Sequence, residues 1–97
     1  MSIADAEAAP LVLAADLGIE RVAALRAQLL DVLEQPAVTL AADAVVRVHG
    51  ATLQLLTAFC RERRAAGRET HWANASGVLR DAAQRLGLGP QLHIEEN

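Results

Sequence analysis

The sequence predicts an α/β domain: a small, mostly parallel mixed sheet with amphipathic helices packed mainly on one face. Three observations predict it. Short apolar runs alternate with longer segments whose apolar residues recur every three or four positions, and strands alternating with helices imply parallel pairing through crossover helices. Hydrophobic residues make up 53 % of the 97-residue chain, enough for one packed core without disulfides or a structural metal. Only 2 % of residues are aromatic (Phe59 and Trp72), so the core must be built from Leu, Val, Ile and Ala, and alanine-rich faces let helices sit close to a sheet.

The elements follow in order. Residues 1–9 are acidic and alanine-rich and read as a flexible N-terminal lead-in, and residues 10–97 as a single domain. Pro10 introduces the apolar run Leu11-Val12-Leu13-Ala14, suited to a buried strand, and Asp16 and Gly18 mark a turn. Ile19, Val22, Leu25, Leu29 and Val32-Leu33 then fall at helical spacing, with Glu20, Arg21, Arg26 and Asp31 largely on the other side. Gln35-Pro36 ends that helix, because proline disfavours helical geometry in the residue before it.

Ala37 to Ala41 is the second strand, and Val45 to Val48 continues it after a bend at Asp43. His49-Gly50 starts a helix with Leu53, Leu56, Phe59 and Cys60 on one face and Arg61, Glu62 and Arg64 on the other. Gly67 is placed to close it in a left-handed conformation. Thr70 to Ala73 is less apolar than the second strand, which suits an edge. Ser76 is a good N-cap for a last helix carrying Val78, Leu79, Ala82, Ala83 and Leu86, and Gly87 stops it. Leu92-His93-Ile94 alternates like a terminal strand.

The composition argues against several function classes. Nine basic residues against twelve acidic ones give a net charge of −3, which with so few aromatic side chains does not suit nucleic-acid binding. No signal peptide or membrane-spanning run is apparent, and the lone Cys60 fits a reducing compartment, so a cytoplasmic location without direct membrane insertion is expected. There is no phosphate-binding glycine loop, nucleophile elbow or paired-cysteine spacing. His49, His71 and His93 are scattered, so no metal, cofactor or catalytic residue is expected. Cys60 reads as a small buried hydrophobe. The run from Arg61 to Arg68 reads as a solvated helix end whose cations complement the helix dipole.

The informative junction is Val48 to Leu56, where an apolar strand runs into a helix through the small-residue turn His49-Gly50-Ala51-Thr52. Such a turn presents backbone N–H groups at a helix N-terminus; it is also how any strand joins a helix. With this junction the segments Val38 to Val45, Arg63 to Arg68, Trp72 to Ser76 and Leu79 to Leu88 fall in an order and spacing that resembles the STAS domain family, the sulfate-transporter and anti-sigma-factor-antagonist domains. The resemblance covers about residues 11–94, and the alanine-rich helices and Leu53-Gln54-Leu55-Leu56 look most like short stand-alone bacterial members.

That resemblance implies a STAS-like fold and a non-enzymatic regulatory module in bacterial signalling, associated with chemotaxis, whose partner is another cytoplasmic protein. The alternative it implies is a subunit of an ABC lipid transporter, bound to the transporter ATPase. Partner binding would fall to His49, Gly50, Ala51, Thr52, Gln54, Thr57 and Arg61. In phosphorylated members a serine or threonine at the start of this helix is the switch, and phosphate there disrupts an interface through its charge and desolvation cost. Here Ala51 stands at that position, His49 where the family has aspartate, and Ala41 where its first strand has another. Thr52 is the nearest hydroxyl, turned about 100° around the helix from the usual one; it reads first as a first-turn residue hydrogen-bonding its own helix end, and otherwise as a displaced phosphosite.

Overall fold

The structure, a computed structural model, describes residues 10–92 and residue 94. The proposed lead-in therefore lies outside the described residues, as does His93. Strand β1 (Leu11–Val12) is followed by β2 (Asp16–Leu17), a 3₁₀ turn (Ile19–Arg21) and α1 (Val22–Val32). Then come β3 (Ala37–Ala41), β4 (Arg47–Val48), α2 (Gly50–Ala65), β5 (Glu69–Ala73), α3 (Gly77–Arg85) and the short α4 (Gly89–Leu92). Among the described residues the fold is α/β, with four helices and two small sheets.

One sheet has the order β1-β3-β5 and the other pairs β2 with β4. Every pairing is parallel, so the mixed sheet expected from the sequence is not found among the described residues. Thr39 sits opposite His71 and Leu40 opposite Trp72. The second sheet exists because Asp16-Leu17, read as part of a turn, is extended and lies along Arg47-Val48. Sequence periodicity cannot signal strands of two residues. Leu92 ends a helix rather than opening a strand, and its burial comes from packing there.

Along β3, Val38 and Leu40 are buried while Ala37, Thr39 and Ala41 are not, the alternation of a sheet covered on one side. The core joins these two to Leu13, Leu25, Leu29, Leu53, Leu56, Phe59 and Leu79. Helix α2 is the hub, contacting α1, α3, α4 and β5. Burying each leucine contributes about 2 kcal/mol. Gly67 has φ of 76°, the left-handed cap its position predicted, and it returns the chain to the sheet.

One side chain departs from the sequence reading in kind. Arg63, assigned to a solvated basic helix end, is 0 % exposed. Its Nη1 donates to the carbonyls of Val32, Leu33 and Gln35 at 3.2, 2.7 and 2.8 Å. Its Nη2 donates to the carbonyl of Glu69 at 2.6 Å and its Nε to Thr70 Oγ1 at 2.8 Å. The guanidinium thus fills the C-terminal end of α1, where carbonyls lack helical partners and the dipole is negative, and ties it to β5. Phe59 lies below it, 5.6 Å from ring centre to the guanidinium carbon. Burial, and secondarily the charge of Arg68, hold the Arg63 pKa below its ordinary value. The signal was in the sequence: Leu56, Phe59, Cys60 and Arg63 continue one helical stripe.

Candidate functional site

The β4–α2 junction is built by the small second sheet. The Ala15 carbonyl accepts from the N–H groups of Val46 and Arg47 at 2.8 and 3.2 Å, and the Leu17 carbonyl accepts from His49 N–H at 3.0 Å. His49 is then the N-cap of α2. Its Nδ1 accepts from Ala51 N–H at 3.0 Å, so Nδ1 carries no hydrogen and the ring N–H is at Nε2. Histidine thereby serves where asparagine or aspartate more often caps a helix.

Thr52 completes the cap from the other side. Its Oγ1 accepts from His49 N–H at 3.2 Å and lies 2.7 Å from both the Leu17 and the His49 carbonyls, to which its single proton is given. The side chain is 0 % exposed. The hydroxyl is thus bonded to its own helix end, as the first reading of Thr52 has it, and being buried it neither faces a partner nor stands accessible to a kinase in this fold. Thr57 is also buried, with its hydroxyl donating to the Leu53 carbonyl at 2.9 Å, so it too leaves the expected surface. His49, Gly50, Gln54 and Arg61 are exposed and Ala51 is half-buried.

A groove of about 400 Å³ opens beside this turn, between the start of α2 and helix α3. Val48, His49, Gly50 and Leu53 form one wall, and Val78, Asp81, Ala82, Arg85 and Leu86 the other. Ser76 positions α3 as expected, its Oγ accepting from Leu79 N–H at 3.1 Å. Leu79 and Ala83 face the core, but Val78 and Leu86 are 44 % and 52 % exposed along the groove. The apolar stripe of α3 is wider than the core it covers. The Asp81–Arg85 pair, 3.0 Å apart and one turn removed along the helix, puts both charge signs on the rim. The sequence marks Val78, Leu79, Ala82, Ala83 and Leu86 as the apolar residues of this helix, without separating the exposed ones from the buried ones.

Beyond the turn, Arg47 donates to Asp16 Oδ1 at 2.7 Å and lies 3.4 Å from Glu20 Oε2. The hydrogen bond from Arg47, with a second from Gly18 N–H, lowers the Asp16 pKa below the ordinary carboxylate value. Gly18 makes room for this: a Cβ there would stand 2.4 Å from Arg47 Nη1.

The arrangement offers an apolar slot, a polar rim and a rigid helix cap. Cys60 lies in the core, where burial pushes its thiol pKa up from 9.0 to about 11, so it is protonated at neutral pH. Among the described residues no three His, Cys, Asp or Glu side chains are grouped to hold a metal ion, and no helix is long and apolar enough to cross a membrane. No family model, no curated protein and no solved structure matches the chain.

Proposed function

We propose that this chain is a non-enzymatic, STAS-type interaction module of the bacterial cytoplasm that binds a signalling protein, of the chemotaxis-associated kind, through the groove between the His49 turn and α3. The observation that carries the reading is the pair Val78 and Leu86, large apolar side chains left half-exposed beside an open slot next to the exposed turn His49-Gly50. Exposed apolar residues that line a groove and are rimmed by charge are what a protein partner covers. The family's phospho-switch has no counterpart in this account: Ala51 lacks a hydroxyl and that of Thr52 is spent inside the cap. Binding is then constitutive, or regulated through the partner.

The alternative is a subunit of an ABC lipid transporter seated on its ATPase. It is favoured by further exposed apolar residues away from this groove, notably Val12, Ile19 and Leu30. A permanent complex would cover more than one face.

The test is capture of partners from the native cytoplasm by wild type, Gly50→Arg and Leu86→Glu. A Cβ at Gly50 meets nothing within 4 Å, so the arginine is accommodated without refolding the turn. A signalling protein held by wild type and lost by both variants supports the module. A transporter ATPase in its place moves the assignment to the alternative. A set of partners unchanged by either substitution removes the groove from the function.

A further inference from the structure

At the other end of α2, about 20 Å along the helix from Gly50, lies a second cavity of about 140 Å³ lined by Cys60, Arg64, Arg68, Thr70 and Leu92. It carries two guanidinium groups and no carboxylate. We propose that this cavity binds a small, free oxyanion of the phosphate class.

Four features of the lining support the assignment. Arg64 is held over the cavity, its Nη2 donating to the Gln91 carbonyl at 2.6 Å, so part of its ordering cost is met before a ligand arrives. Arg68 is half-buried and forms no side-chain ion pair among the described residues. Thr70 Oγ1 already accepts from Arg63 Nε, which leaves its own proton to donate. The Cys60 thiol, kept neutral by burial, adds no competing negative charge.

Behind this lining stands Arg63. Its partners are four backbone carbonyls and one hydroxyl, all neutral, so its charge meets no carboxylate. The three arginines therefore concentrate positive charge at one spot of a chain whose net charge is −3. An anion between Arg64 and Arg68 would offset the charge of Arg68 that bears on Arg63, and forked guanidinium donors suit its oxygens. The volume admits phosphate or sulfate and is too small to enclose a nucleotide.

The test uses the full chain in phosphate-free buffer, with inorganic phosphate as the probe and sodium chloride at matched ionic strength as the control. Phosphate should raise the thermal midpoint of the wild type saturably. Arg68→Ala should raise the midpoint in the absence of phosphate, by relieving Arg63, and weaken phosphate binding about tenfold or more. Arg26→Ala, on the exposed side of α1, should leave the response unchanged. Phosphate salts also stabilise folded proteins by exclusion from their surface, so amide chemical shifts are followed in the same titration. Saturable shifts centred on Cys60, Arg64 and Arg68 to Thr70 are the expected result. A midpoint that responds equally to chloride, an Arg68→Ala protein with undiminished affinity, or a uniform drift of shifts overturns the proposal.

Discussion

Arg63 is the side chain on which most separate parts of this fold converge. Removing it takes the guanidinium donors from the carbonyls of Leu33, Gln35 and Glu69 and leaves that of Val32 with only the Gln35 N–H. Arg63→Ala is therefore expected to lower the unfolding free energy by about 2–3 kcal/mol, measured by urea denaturation. Arg63→Lys should recover only part, because an ammonium cannot reproduce the fork of donors. The His49 side chain acts through a single bond: His49→Ala should cost about 1 kcal/mol, and His49→Asp should restore the cap, as the same experiment would report. A run of arginines looks like one solvated patch in the sequence. The helix separates its members, and only the 3–4 spacing from Phe59 and Cys60 reveals which one turns inward.

At the level of elements, the long ones were legible and the short ones were not. Helices α1, α2 and α3 and strands β3 and β5 carry enough residues for their periods to register, and the caps at Ser76, Gly67 and Gly87 follow from local chemistry. The β2–β4 pair is held by partners some thirty residues apart, a relation no local pattern encodes. The same limit hid the burial of Thr52, whose hydroxyl partner at Leu17 belongs to β2. Two pH effects belong to this scale. Asp16 has its pKa lowered in the fold, so the stability it contributes is present above the unfolded value and lost as pH falls through the folded one. Asp16→Asn should accordingly flatten the acid limb of a stability–pH curve. Cys60 has its pKa raised from 9.0 to about 11, so its contribution is complete below pH 9 and declines as pH rises toward 11. Cys60→Ala should remove that alkaline decline while lowering stability overall through a small cavity.

On the scale of the whole molecule, α2 connects two different surfaces. Its N-terminal turn forms one wall of an apolar groove, and its C-terminal third carries an arginine-lined cavity. The His49 turn was visible in the sequence as a strand running into a helix through small residues. The opposite wall was not, because Val78 and Leu86 have the spacing of core residues and only the packing of α3 shows them left uncovered. The working surface we propose is this groove. It is tested most directly by amide hydrogen exchange on the chain with and without its captured partner. Protection gained in segments 48–54 and 78–86, and absent in Leu86→Glu, is the predicted result. Protection confined to β5 or α1, with the groove unchanged, would contradict it.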